Sequence, residues 1–96
     1  MMKHTSYMMK TAKFIVTGVV QGVGFRYHSK QIAIKLGLSG FAKNLPDRSV
    51  EVVVHGFDGS VSEMAIWLSS GPTMAKVENV IEQKVEQKSY SGFEIL

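Results

Sequence analysis

Hydrophobic and polar residues alternate along three short segments in the first 56 residues, and this alternation predicts β-strands. The β-branched run KFIVTGVV, residues 13–20, predicts the first strand, and SGFAKNL, residues 39–45, predicts the second. The segment SVEVVVHG, residues 49–56, predicts a third strand with valines on one side. Between the last two lies PDRS, residues 46–49, whose proline suits the first central position of a type I or II turn. The second and third strands therefore form a hairpin.

The first helix is predicted over residues 25–37, directly after a glycine-rich stretch. Ile32, Ala33 and Leu36 place apolar side chains on one face of this helix. Gly37 is the residue type that most often follows a helix C-terminus. The pattern therefore predicts a strand, a glycine loop and a helix in succession.

A second helix is predicted over residues 61–70, where apolar side chains recur every third or fourth position. Ser60 and Glu63 have the spacing of a capping box, which predicts that this helix begins after Ser60. Gly71 and Pro72 end it, because neither residue continues a helix well.

Two further strands complete the chain, one over residues 76–85 and a short one over residues 92–96. The order βαββαβ, with an additional strand, predicts an α+β fold of the ferredoxin-like type. In this sandwich two helices cover one face of a mostly antiparallel sheet of four to five strands. We expect one domain over residues 12–96 after a flexible lead-in, residues 1–11, with Met1, Met2, Met8 and Met9 as alternative starts. Proteins of this fold have many different functions, so the fold alone does not identify the function of this chain.

Charge is distributed unevenly along the 96 residues. Residues 1–48 hold eight Lys and Arg against one acid, whereas residues 49–96 hold three Lys against seven acids. The glycine-rich stretch therefore lies in the basic half, which favours an anionic ligand, either small or polymeric. A cluster of solvated lysines is the alternative interpretation.

The chain contains no cysteine, which excludes disulfides, thiolate metal sites and cysteine nucleophiles. This composition fits a reducing compartment, and we expect a cytoplasmic location. No apolar run approaches the 18 residues that a membrane span requires, so we expect no membrane partner.

The glycine-rich stretch places Gly18, Gly22 and Gly24 between a strand and a helix. It is not a Walker A loop, because no Gly-Lys-Ser/Thr follows, and Tyr27 occupies the third glycine position of a dinucleotide fingerprint. Free backbone amides at a helix N-terminus nevertheless suit a phosphate or sulfate. Arg26 in the first turn offers a planar, two-pronged donor to the same anion. A tight turn with a surface arginine is the alternative.

Asn44 lies near the end of the second predicted strand, where asparagine is unfavourable. Its amide offers both a donor and an acceptor, so it could hold a water molecule. The alternative is that it caps the turn that follows.

Taken together, two segments resemble the acylphosphatase family. The family pattern G-x-V-Q-G-V-x-F-R matches Gly18 to Arg26, and G-x-x-x-N-x-x-D-G-x-V-E matches Gly40 to Glu51. The resemblance extends over residues 12–96. The sequence departs from the family at Val19, where a basic or polar residue is frequent, and at Arg48, which replaces a glycine.

This resemblance implies a ferredoxin-like enzyme that hydrolyses the carboxyl–phosphate bond of acyl phosphates without a metal or another cofactor. It implies that Arg26 binds the phosphate and that Asn44 positions the attacking water. The loop residues whose amides would share the phosphate are Gly18, Val19, Val20, Gln21, Gly22, Val23 and Gly24. The expected ligands are a small-molecule acyl phosphate and, as product or competitor, inorganic phosphate or sulfate. We also expect a monomer.

Other functions have weaker support in the sequence. His4, His28 and His55 are scattered without flanking acids, so we expect no metal site. An RNA-binding sheet would carry aromatic residues at its centre, and here the first strand offers only Phe14, so we expect no nucleic-acid partner. An anion-binding module of the same fold stays open. His28, close to the loop, either contacts a ligand or packs against the protein.

Overall fold

The computed structural model describes residues 8–96. Its elements are β1 (Met9–Val19), α1 (Phe25–Lys35), β2 (Ser39–Asn44), β3 (Val50–Phe57), α2 (Asp58–Ser70), β4 (Lys76–Gln83) and β5 (Phe93–Ile95). The predicted ferredoxin-like order with a fifth strand is confirmed. Most of the predicted lead-in lies outside the described residues, but residues 9–11 belong to β1, which begins four residues earlier than predicted.

The five strands form one sheet in the order β4-β1-β3-β2-β5. Every neighbouring pair is antiparallel except β2 and β5, which are parallel. Both helices pack on the same face of this sheet, where alternate residues of β1 and β3 point. The core at this interface contains Ala12, Phe14 and Val16 of β1, Val50, Val52 and Val54 of β3, Phe25 and Ala33 of α1, and Val61, Met64 and Leu68 of α2.

Helix α1 ends in the motif that its sequence predicted. Gly37 has a φ of 73°, and the amide of Leu38 donates to the carbonyl of Ala33 at 2.8 Å. The amide of Gly37 donates to the carbonyl of Ile34, so the two bonds form a Schellman motif. The helix thus ends two residues before the predicted boundary, with glycine just beyond it.

Helix α2 begins at Asp58, and the predicted capping box of Ser60 and Glu63 is wrong. Strand β3 runs directly into the helix, and Phe57 occupies the N-cap without a side-chain capping bond. The amide of Asp58 instead donates to the carbonyl of Met8 at 3.1 Å. The acceptor for the first turn of α2 is therefore a backbone carbonyl from the residue before β1. It is not the side chain of Ser60, which the local sequence predicted.

The turn between β2 and β3 holds Arg48 at a φ of 77°, alone among the non-glycine residues of the described chain with a positive φ. Its amide donates to the carbonyl of Leu45, and the amide of Leu45 donates to the carbonyl of Ser49. The carboxylate of Asp47 accepts hydrogen bonds from the side-chain hydroxyl and the amide of Ser49. These bonds hold the pKa of Asp47 below its ordinary value of 3.8, and the bond from the Ser49 hydroxyl has the larger effect.

The connection between β4 and β5 is fastened to β1. The hydroxyl of Thr11 donates to the carbonyl of Lys88 at 2.7 Å, and the side chain of Gln87 bonds both backbone groups of Thr11. Farther along, Tyr90 packs edge-on against Phe41 of β2. These contacts bring β5 beside β2, at the edge where the site described below is formed. None of the helices within residues 8–96 has the length and apolarity to cross a bilayer.

Candidate active site

The glycine loop starts at an irregularity in the sheet. The pairing of β1 with β4 shifts register between Thr17 and Gly18, and Gly18 has a φ of 122°. A Cβ atom on Gly18 would lie 2.1 Å from the carbonyl oxygen of Lys76, which is far inside van der Waals contact. Glycine is therefore required here by the close approach of β4.

A cavity of about 140 Å³ opens where the loop meets the first turn of α1. Of the predicted site residues, five line it: Val20, Gly22, Gly24, Arg26 and Asn44. Phe25, Tyr27 and Ile95 complete the lining. Two segments that are separate in sequence, the loop with α1 and the end of β2, thus border one space.

The other predicted loop residues lie elsewhere. Gly18, Val19 and Gln21 line a neighbouring groove of about 130 Å³, together with Val20 and Arg48. Val23 packs against the hydrophobic core. The loop therefore has two sides, one bordering the cavity of Arg26 and Asn44 and one bordering the groove of Arg48.

Arg26 projects from the first turn of α1 and is partly buried. Its Nη1 donates to the backbone carbonyl of Leu96 at 2.6 Å, while the amide of Leu96 donates to the carbonyl of Ala42 at 2.9 Å. The guanidinium has five N–H groups, so donors remain for an anion in the cavity. The sequence had no signal for this contact, which joins residues 70 positions apart.

Gln21 fastens the loop to the hairpin turn that follows Asn44. Its Nε2 donates to the carbonyls of Leu45 at 2.9 Å and Ser49 at 2.8 Å. Both side-chain amide hydrogens are thereby used on backbone groups. Gln21 thus holds the loop at a set position relative to the end of β2, a role that the resemblance did not assign to its side chain.

Asn44 is the last residue of β2 and pairs with Val50 of β3. Its Oδ1 is buried and accepts no hydrogen bond from any residue in the range 8–96. A buried acceptor without a donor costs about 1–3 kcal/mol, so it is a place where a ligand or water donor binds favourably. The turn-capping alternative for Asn44 has no hydrogen bond to support it among these residues.

His28 packs against the protein at the end of the loop. Its Nδ1 lies 2.8 Å from the carbonyl oxygen of Gly24, which also accepts the His28 amide at 3.0 Å. Because a carbonyl only accepts, we assign the ring proton to Nδ1. The imidazole thus supports the loop, and its position four residues after Gly24 is the sequence signal that could have indicated the contact.

The surroundings of the cavity favour negative charge. It lies at the N-terminus of α1, which carries partial positive charge, and the first turn of that helix contains no acidic residue. Within residues 8–96, no three His, Cys, Asp or Glu side chains are grouped so that they could hold a metal ion.

The fold and this cavity define a small ferredoxin-like protein in which a glycine-rich loop lies beside an arginine and an asparagine. The family model of the acylphosphatases matches residues 12–95. An acylphosphatase of Vibrio cholerae serotype O1 is 50% identical over 86 residues, which cover 88% of this chain and 94% of the relative. One of Vibrio vulnificus is 44% identical over 88 residues, covering 92% and 98% of the two chains.

Similarity in structure leads to the same family. A solved acylphosphatase of Coxiella burnetii superimposes with a TM-score of 0.88 at 34% identity, covering 99% of this chain and all of the other. The chain belongs to the acylphosphatase family. The resemblance drawn from the two motifs is thereby confirmed.

Proposed function

We propose that this chain hydrolyses acyl phosphates to a carboxylate and inorganic phosphate in the cavity between α1 and β2. The observation that carries the proposal is the shared lining. Arg26 and Asn44 lie 18 residues apart in the sequence, yet both border the same space with Gly22 and Gly24. Membership of the acylphosphatase family supports the reaction class.

The phosphoryl group binds to the loop and to Arg26. Backbone amides of the loop residues that border the cavity, Val20, Gly22 and Gly24, donate to its oxygens, and the dipole of α1 favours its charge. Arg26 adds charge-assisted hydrogen bonds, which are stronger than neutral ones. Its bond to Leu96 limits its rotamers before the substrate arrives, which lowers the entropy cost of binding.

Asn44 positions the attacking water. Its buried Oδ1 accepts a hydrogen bond from the water and directs the water oxygen at phosphorus. The new P–O bond forms as the bond between phosphorus and the acyl oxygen breaks, and the acyl group leaves as a carboxylate. A phosphoryl oxygen of the substrate takes the proton of the water, so the reaction balances without a metal, a cofactor or a covalent intermediate.

The two side chains act on different parts of the barrier. Arg26 stabilises charge on the phosphoryl oxygens, and Asn44 orients the nucleophile. By analogy with the loss of one oxyanion donor, each contact contributes about 3 kcal/mol to lowering the barrier.

Acetyl phosphate hydrolysis in the presence of a chelator, with inorganic phosphate as competitor, tests the proposal. We expect Arg26→Ala to lose phosphate binding and turnover together, and Asn44→Ala to keep phosphate binding while losing turnover. Arg48→Ala and Asn79→Ala, at exposed positions outside the cavity, are the matched controls and should retain activity. Near wild-type rates in both site variants would refute the residue roles.

Phosphate binding by the wild-type chain without hydrolysis would indicate an anion-binding module in place of an enzyme. The monomeric state, the cytoplasmic location and the lack of a nucleic-acid partner stay predictions from the sequence. Size-exclusion chromatography with light scattering tests the first of these, and RNA binding measured at low salt tests the last.

A further inference from the structure

The peptide bond between Gly24 and Phe25 joins the glycine loop to α1 at the border of the cavity. Phe25 lines the cavity, but its ring is buried in the core and packs 5.8 Å from the ring of Trp67. The group that Phe25 can offer to an anion is therefore its backbone amide. This amide is not among the phosphate donors that the sequence predicted, which end at Gly24.

The carbonyl of the same peptide bond accepts two hydrogen bonds, and both come from His28. The backbone amide of His28 donates to it at 3.0 Å, and Nδ1 of the ring donates at 2.8 Å. In a planar trans peptide the C=O and N–H groups point in opposite directions. The carbonyl of Gly24 points along the helix, so the amide of Phe25 points out of the helix N-terminus. A bond that fixes the carbonyl therefore also fixes the amide.

The backbone around this peptide bond is otherwise permissive. Gly22 and Gly24 have φ values of 76° and 77°, and glycine adopts many backbone conformations at low cost. Gly24 is also the N-cap of α1, and no side chain forms a capping hydrogen bond there. The imidazole therefore adds a restraint at a point where the local sequence supplies few others.

The imidazole of His28 is itself held by two neighbours. A Cβ atom on Gly24 would lie 3.3 Å from Nδ1, so the ring packs directly against the glycine backbone. The ring of Tyr27 meets the imidazole edge-on, with 5.5 Å between the two centroids. A donor that is already fixed in position loses little conformational entropy when an anion binds beside it.

From this geometry we infer that His28 is a positioning residue for the phosphoryl group. Its Nδ1–H holds the peptide bond between Gly24 and Phe25 so that the amide of Phe25 donates to a phosphoryl oxygen. The inference rests on the proposed function, because it places the phosphoryl group in the cavity beside Arg26. His28 acts through Gly24 and not through the substrate, since it is not among the residues described above as lining the cavity.

Two nearly isosteric substitutions separate the hydrogen bond of His28 from the bulk of its ring. His28→Asn places an amide nitrogen where Nδ1 lies, so it can still donate to the carbonyl of Gly24. His28→Leu places a methyl group there and cannot donate. Leucine is the better helix former, so a purely structural role would make His28→Leu the milder exchange. A positioning role makes it the more damaging one.

The test measures the dissociation constant for inorganic phosphate by titration of the backbone amide NMR signals. We expect His28→Leu to weaken phosphate binding about fivefold to tenfold, and His28→Asn to stay within about twofold of the wild type. Phosphate should shift the Phe25 amide signal in the wild type and in His28→Asn, and should shift it less in His28→Leu. The kcat/KM for acetyl phosphate should fall in the same order.

Ile34→Leu and Ile34→Asn are the matched controls, because Ile34 is 58% exposed on the same helix and lines a different surface groove. Both should bind phosphate as the wild type does, and thermal unfolding checks that every variant is folded. Equal phosphate binding in His28→Leu and His28→Asn, or a Phe25 amide signal that phosphate does not shift in the wild type, would overturn the inference. Phosphate binding by the wild type without hydrolysis of acetyl phosphate would instead refute only the proposed function.

Discussion

The guanidinium of Arg26 and the backbone carbonyl of Leu96 are joined by a hydrogen bond of 2.6 Å. The bond connects the first turn of α1 to the residue that follows β5, and Leu96 is itself bonded to Ala42 of β2. The orientation of the arginine therefore depends on the edge of the sheet as well as on its own helix.

A lysine at position 26 would test this geometry. Arg26→Lys keeps the positive charge, but one ammonium group cannot bond Leu96 and also present a planar pair of donors to a phosphate. We expect kcat/KM for acetyl phosphate to fall about 100-fold, with the fold preserved. Arg48→Lys, the same exchange at an exposed arginine, should change the rate by less than about twofold. A wild-type rate in Arg26→Lys would show that charge alone suffices.

Removal of the Gln21 side chain should separate the loop from the hairpin turn. Gln21→Ala loses two hydrogen bonds. The carbonyl oxygens of Leu45 and Ser49 each still accept one backbone amide. We expect the free energy of unfolding to fall by about 1–2 kcal/mol in a denaturant titration. Gln83→Ala, an exposed exchange in β4, should cost less than about 0.5 kcal/mol. Equal losses in the two variants would refute the stabilising role of the Gln21 hydrogen bonds.

Arg48 occupies a backbone conformation that glycine adopts without strain. Relief of this backbone strain in Arg48→Gly should therefore raise the free energy of unfolding by about 1 kcal/mol. The conformational entropy that glycine adds to the unfolded chain reduces this gain. Arg48→Ala keeps the Cβ atom and should leave stability nearly unchanged. If the alanine variant gained as much stability as the glycine variant, the side chain and not the backbone would be the cause.

Two glycines of the loop should respond differently to alanine. At Gly18 the added methyl group meets the backbone of β4, so we expect a loss of about 3 kcal/mol in thermal unfolding. At Gly22 no atom lies within 4 Å of the added Cβ, and the φ of 76° is the only unfavourable feature for alanine. The loss should therefore be about 1 kcal/mol. Similar losses at both positions would contradict the close approach of β4 to Gly18.

Asp47 should make stability depend on pH at the acidic end. Its pKa is lowered in the folded chain, chiefly by the Ser49 hydroxyl, so its stabilisation is complete above pH 3.8 and is lost as the pH falls through the lowered pKa. The difference in free energy of unfolding between the wild type and Asp47→Asn should therefore shrink below about pH 4. In a Ser49→Ala background the same comparison should vary less with pH. A constant difference across this range would refute the linkage.

The sequence by itself determined the order of the elements and most of their boundaries. Valines at every second position of β3 required one buried face, and Gly37 signalled the end of α1, because these patterns depend on neighbours close in the chain. The two motifs also determined the family. Local pattern misled at Ser60, because the acceptor for the first turn of α2 is Met8, from a distant part of the chain.

Only the tertiary structure decided which residues share the cavity. The motif treats residues 18–24 as one loop, whereas the fold turns Gly22 and Gly24 toward Arg26 and Asn44 and places Gly18 against β4. The contacts of Arg26 with Leu96 and of Gln21 with Leu45 and Ser49 join segments brought together by strand pairing. Spacing along the chain carries no information about such distances, because they are set by the order of strands in the sheet.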